Sequence, residues 1–341
     1  MVRKRDGGMT KTGTIACAAL VLALMTLLCG CAEKQASAEV FAMDTVMSFR
    51  IYGKAGGDAA DTCTAIIQQL ERELSATDPA SDLARLNAAG EGALPEDAAQ
   101  LLADTLALSQ RTGGALDPTV YPLVCLWGFP AQAYRVPTDE EIAATLALVG
   151  PQHVRQSGTQ VQLDDGTQLD LGAVAKGYAG QRCADALEDQ GVAAILTLGG
   201  NVQTIGRKPD GTDWQVGIAD PDAPETSLAV LQLRGTNSIV TSGGYQRYFT
   251  ENGQRYHHIL DPATGRPADR GLASVTIVAK DGLLADALST ALFVMGLDEA
   301  AAFWQESDDF EAVLIDAQGQ VYVTSGLEDA ITGCDYTVID R

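Results

Sequence analysis

The stretch from Val154 to Leu171 alternates apolar and polar residues in short bursts, VRQ, QVQL and QLDL, broken by SGT and DDG. No other feature limits the fold as much. Period-two alternation puts successive side chains on opposite faces of a strand, and breaks this short leave room only for tight turns between antiparallel neighbours. The habit returns after residue 190 in AAILTLGG, VQTIG, WQVGIADP, LAVLQL and SIVTSGG, and then in Glu251-Asn252-Gly253-Gln254, the strongest hairpin signal in the chain. Helical patterns lie between these strands without a steady βαβ rhythm. The expected architecture is therefore α+β, with mixed, largely antiparallel sheets and packed helices in a single unit, and not a doubly wound parallel sheet.

The helical patterns are specific. Cys63, Ile66, Ile67, Leu70 and Leu74 recur at three- and four-residue steps, predicting a helix that stops at Asp78-Pro79. A second is expected from Glu96 to Ser109, between Pro95 and Gly113-Gly114. A third begins at Thr138, which with Glu141 forms a capping box, and ends at Gly150. AVAKGYAGQRCADALEDQ and Leu283–Met295 read as two more, with a short one near Ala300. Strands are expected over Val40–Tyr52 and Ala273–Ala279, with a closing hairpin over Glu311–Thr324.

The N-terminus reads as an address. Arg3, Lys4, Arg5 and Lys11 precede an apolar run of 14 residues, Ile15–Leu28, which fits the core of a secretory signal and falls short of the ~20 residues of a spanning helix. Leu28-Cys29-Gly30-Cys31 follows and resembles a bacterial lipobox, in which Cys31 receives a diacylglycerol and becomes the first mature residue. An ordinary cleaved signal and an uncleaved anchor are the alternatives, and all three export the chain. The expected organisation is a lipoprotein signal peptide over 1–30, a tether over 31–39 and one domain over 40–341, anchored at the outer face of the bacterial cytoplasmic membrane.

Charge narrows the partners. Lys and Arg total 23 against 45 Asp and Glu, a formal net charge of −22, so the surface repels phosphate backbones and nucleic acid is not expected as a partner. An anionic small molecule would need a local cation, a helix N-terminus or a metal ion to offset that field. Of the 7 cysteines, none stands in a CxxC pair, and Cys63 and Cys183 fall on apolar helical stripes where a buried thiol is expected.

Several residues could supply such an offset. Asp170-Leu171-Gly172-Ala173-Val174-Ala175-Lys176-Gly177 joins a strand to a helix, with free N–H groups and a Lys in the first turn, a plausible seat for a pyrophosphate, although no GxxxxGK[ST] is present. Asp286 and Thr290 stand four apart on an otherwise apolar helix; a carboxylate and a hydroxyl on one stripe suit a hard cation such as Mg²⁺. The alternative is Thr290 bonding its own i−4 carbonyl. His257 and His258 are adjacent in a predicted strand, so only one of them faces a given cleft, and alternation does not say which.

Taken together, MDT (43–45), SATDPAS (75–81), GALDPTVYPLVCLWGF (114–129), DLGAVAKGYA (from Asp170), LGGN (from Leu198), TSGGYQRYF (from Thr241), HILDPATGRP (from His258) and ADALSTALFVMG (from Ala285) resemble, in order, the FAD:protein FMN transferase family, the ApbE-type lipoproteins. The resemblance implies a Mg²⁺-dependent enzyme that splits FAD, passes FMN to a Ser or Thr hydroxyl of a membrane-associated redox protein and releases AMP. It implies FAD contacts from Met43, Ala115, Leu116, Asp117, Asp170, Lys176 and Ile259, metal ligands in the Ala173 carbonyl, Asp286 and Thr290, and a catalytic role for His258. The family pattern usually carries an aromatic residue where this chain has Thr77. An FAD pyrophosphatase and a non-catalytic flavin-binding lipoprotein are the alternative functions.

Overall fold

The computed structural model describes residues 35–341. The signal peptide (1–30), Cys31 and the beginning of the tether therefore lie outside the described residues. Among the described residues eight α-helices run in order: α1 (Gly56–Leu74), α2 (Asp82–Ala89), α3 (Glu96–Arg111), α4 (Tyr121–Leu126), α5 (Asp139–Leu146), α6 (Ala175–Leu187), α7 (Gly282–Met295) and α8 (Leu297–Gln305). The main sheet has nine strands, numbered here along the chain: β1 (Gln35–Ala42), β2 (Thr45–Tyr52), β3 (Ala193–Leu198), β4 (Asn201–Ile205), β5 (Asn237–Gly243), β6 (Leu272–Ala279), β7 (Phe310–Asp316), β8 (Val321–Thr324) and β9 (Thr337–Ile339). Their spatial order is their chain order, and every pairing is antiparallel except β8 with β9. The expected α+β class and antiparallel bias hold.

Both faces of this sheet are covered. Met47, Phe49, Ile51, Leu196 and Leu198 pack under α1 and α6, and Val275, Ile277, Ala312 and Leu314 pack under α7 and α8. On the opposite face Ile239, Val278, Val313 and Ile315 meet a separate hairpin, Trp214–Asp220 with Ala223–Leu233, through Val216, Ile218 and Leu231. Two-sided burial is why a strand such as AVLI (312–315) is apolar at every position instead of alternating. Cys63 and Cys183 are buried free thiols on facing stripes of α1 and α6, as their periodicity implied.

Local signals were obeyed where the chemistry is local. Thr138 and Glu141 form the reciprocal capping box of α5. Tyr248–Glu251 pairs with Gln254–His257 through Asn252 and Gly253, whose φ values of 52° and 80° are those of a type I′ turn. Three expectations change. Residues 35–39, read as tether, are the first half of β1, paired residue by residue with β2 from Gln35↔Tyr52. The first helix stops at Leu74, not Asp78, because Ser75 is extended and its carbonyl accepts the Ser81 hydroxyl, the residue that also caps α2. Only 154–157 and 160–163 of the Val154–Leu171 stretch are strand, joined by a third strand at 91–93; the remainder delivers the chain to α6.

Candidate active site

A cavity of about 610 Å³ opens where the N-terminus of α6 and the turns of the main sheet converge. It is lined by Met43, Ala115, Leu116, Asp117, Asp170, Ala173, Lys176, His258, Ile259, Asp286 and Thr290, so the fold brings into one place every residue to which the family resemblance gives a contact, ligand or catalytic role within the domain. Cys31 lies outside the described residues. Asp44, Glu71, Thr77, Tyr121, Phe129, Asn201, Ser242 and Arg247 also line it and had not been singled out for the site, apart from Thr77.

One wall is the crossing of α6 and α7. Gly177 is the third residue of α6, so its N–H is one of the first-turn donors that the helix itself leaves without a partner. It is donated to Asp286 Oδ2 at 2.7 Å, which ties the start of α6 to α7. The helices approach this closely because both contact residues are glycine: a Cβ on Gly177 would lie 2.0 Å from the Gly282 carbonyl oxygen and 2.6 Å from Asp286 Cβ. Gly177→Ala is therefore expected to cost about 1–3 kcal/mol through overpacking and to lower the melting temperature, as thermal unfolding would show; an unchanged midpoint would contradict the contact.

Asp286 is buried, and burial raises its pKa against the opposing pull of Lys176 and the Gly177 N–H. Beside it Ser242 Oγ lies 2.8 Å from Ser289 Oγ and 3.3 Å from Thr290 Oγ1, while the Ser289 hydroxyl donates to the Asp286 carbonyl. A desolvated carboxylate, a hydroxyl one turn on and the Ala173 carbonyl in the same cavity wall are all hard oxygen donors, a set that suits Mg²⁺ and not a thiophilic metal. The alternative for Thr290, a bond to its own i−4 carbonyl, is replaced by the contact with Ser242.

The cationic part of the site is Lys176, in the first turn of α6, and Arg247, whose Nη2 donates to the Phe129 carbonyl at 2.6 Å. Both fields reach Asp170, whose pKa is nonetheless raised by burial; its Oδ1 accepts the Gly172 N–H at 2.7 Å and so shapes the entry to the helix. Asp117 also has its pKa raised by burial, and its Oδ1 accepts both the N–H and the hydroxyl of Thr119.

Geometry separates the two histidines. His257 Nε2 donates to the Ala268 carbonyl and its ring stands edge-on to Phe293, away from the cavity. His258 lines the cavity, and its Nδ1 lies 3.1 Å from the Arg247 carbonyl. A carbonyl only accepts, so Nδ1 carries the proton and Nε2 carries the lone pair. Desolvation, with Lys176 and Arg247 nearby, lowers the His258 pKa to about 4, so the ring is neutral at pH 7.

Met43 and Asp44 join β1 to β2 with φ values of 50° and 58°. Neither is glycine, so this turn at the cavity rim is strained, and it is held by the Met43 N–H donating to Glu71 Oε1 at 3.1 Å. Tyr245, Tyr248, Tyr256 and Trp214 stand outside the cavity; Tyr256 stacks on Phe249 and packs against Trp127.

Fold and cleft together define an α+β protein with a polar cleft, basic at a helix start and oxygen-rich beside it, suited to a small anionic ligand. The ApbE family model matches residues 43–314. The FAD:protein FMN transferase of Treponema pallidum is 33% identical over 343 residues, covering 92% of this chain and 95% of its own length. That of Vibrio cholerae is 34% identical over 296 residues, covering 83% and 89%. The crystal structure of the ApbE protein of Thermotoga maritima superposes with a TM-score of 0.82 at 32% identity, covering 87% of this chain and 99% of that one. The apo flavinyl transferase ApbE of Pseudomonas stutzeri gives 0.78 at 32%, covering 89% and 98%. The chain belongs to the ApbE family.

Proposed function

We propose that this chain cleaves FAD and transfers FMN to a Ser or Thr hydroxyl of a redox protein at the membrane, releasing AMP. The observation that carries this reading is the convergence, in one cavity, of Lys176, Arg247, a neutral His258 and the buried Asp286 carboxylate. In a chain of net charge −22, a lysine at a helix start with an arginine lining the same cavity is where a pyrophosphate finds compensation.

The residues divide the work. Lys176 and the first-turn N–H groups of α6 hold the phosphates, and Arg247 adds a second positive charge beside them. His258 Nε2 takes the proton of the acceptor hydroxyl as its oxygen bonds the phosphorus that stays with FMN. The phosphorus–oxygen bond to AMP breaks as that bond forms, and the electron pair leaves on the AMP phosphate. Arg247 fixes the His258 tautomer through its carbonyl while its side chain is pinned to Phe129. Asp286, Thr290 and the Ala173 carbonyl would hold a divalent cation, Mg²⁺ in this reading, which supplies charge neutralisation at the leaving phosphate.

Cys31 would tether the protein, exported, to the outer face of the cytoplasmic membrane; the basic start, the apolar run and the lipobox-like LCGC support this. The test of the reaction is incubation with FAD, Mg²⁺ and a candidate acceptor subunit. A fluorescent acceptor band after denaturing electrophoresis is expected, whereas FMN and AMP without a labelled band would make the chain a pyrophosphatase, and recovery of intact FAD a flavin-binding lipoprotein.

A further inference from the structure

An aromatic side chain inside a protein usually finds another ring, and the cavity departs from this at one position. Phe129 and His258, the other ring residues used above in its wall, are engaged: Phe129 packs on Tyr134, Phe249 and His258. Tyr121, at the start of α4, lines the same cavity, is only 9% exposed and pairs with no aromatic ring among the described residues. Its hydroxyl does not reach for a ligand either, because it donates to the Ala76 carbonyl at 2.9 Å.

That hydrogen bond fixes the ring against the 75–78 segment, whose cavity-facing Thr77 has no ring of its own. Burial also raises the phenol pKa, so the ring stays neutral and binds through its face. Val124, one turn on in α4, and Leu116 and Pro130 add apolar surface to the cavity wall. A rigid, neutral aromatic ring with no ring partner, in a wall that also carries apolar side chains, suits a flat heterocycle better than a phosphate or a sugar.

From this geometry we infer that Tyr121 is the stacking wall for a planar ring of the bound nucleotide, held in place by the Ala76 carbonyl. The inference rests on the FAD reading above. The ring is either the isoalloxazine or the adenine, which share this chemistry, and the test distinguishes them.

Binding of FAD is followed by quenching of flavin fluorescence, and binding of FMN and AMP separately by competition, for the parent, Tyr121→Phe and Tyr121→Leu. Tyr121→Phe keeps the ring and should bind FAD within about threefold of the parent; Tyr121→Leu should bind it about tenfold more weakly. A loss confined to FMN assigns the isoalloxazine, and one confined to AMP the adenine. Tyr121→Met, which fills the space with a flexible chain, serves should Tyr121→Leu not fold. If the parent binds FAD and the ring-less variants match it for all three ligands, the stacking wall is overturned alone. If the parent fails to bind FAD, the transferase reading falls and the wall falls with it.

Discussion

His258→Ala abolishes flavin transfer and leaves FAD bound. Loss of a positioned general base removes about 10²–10⁴-fold in rate, and because the phosphates are held by Lys176, Arg247 and the start of α6, affinity for FAD should change only a few-fold. The assay is the fluorescent acceptor band, read beside a fluorescence titration of FAD. Retained transfer would sink the role. The same ring sets the pH dependence. Its pKa is depressed to about 4, so the base is lost as pH falls through about 4 instead of through the ordinary imidazole value near 6.5. The acid limb of kcat/KM, which reports the free enzyme, should accordingly lie well below the ordinary imidazole range, and a midpoint near 6.5 would contradict the depressed His258. The sign for stability agrees. The unfolded imidazole binds its proton at higher pH than the folded one, so the contribution of His258 is fully present above about 6.5 and falls away as pH drops toward 4.

Asp286→Asn has the second large effect and a different signature. Asparagine keeps an oxygen to accept the Gly177 N–H, so the crossing of α6 and α7 survives, but the hard anionic ligand is gone. Transfer should fall on the order of 10²–10³-fold, several kcal/mol of lost charge stabilisation at the leaving phosphate. Without metal the variant should melt no lower than the parent, since the parent buries a carboxylate whose pKa is raised by desolvation. Added Mg²⁺ should then raise the midpoint of the parent and not that of the variant. An Asp286→Asn protein that transfers FMN at the parent rate in the presence of EDTA would contradict the assignment.

How much of this was legible before any coordinates depended on the distance over which each residue acts. The Asn252-Gly253 turn and the Thr138–Glu141 box are decided within four residues, and both formed as read. Asp286 and Thr290 could be placed on one stripe from spacing alone, because α7 is regular. The Ala173 carbonyl entered only through the family pattern, and the bond from the Gly177 N–H to Asp286, which ties this segment to α7 across 109 positions, has no local trace. Arg247 stands inside the TSGGYQRYF block but was not singled out, because its carbonyl and its guanidinium acquire their roles from His258 and Phe129, one 11 and the other 118 residues distant. The histidine pair was undecidable for a related reason: alternation predicts opposite faces, but which face borders a cavity is a property of the whole sheet. The 35–39 segment resembled a tether because its residues are small and polar, and it is strand because β2 offers it a full row of partners.

The glycine contact between α6 and α7 has a mechanical corollary. Ordinary helix pairs are separated by an interdigitated layer of side chains that can shear by fractions of an ångström, whereas here the main chains of Gly177 and Gly282 touch directly. The lysine-bearing and aspartate-bearing walls consequently travel as one stiff piece. Any breathing that admits a bulky guest or lets a spent one depart is left to the loops facing that piece.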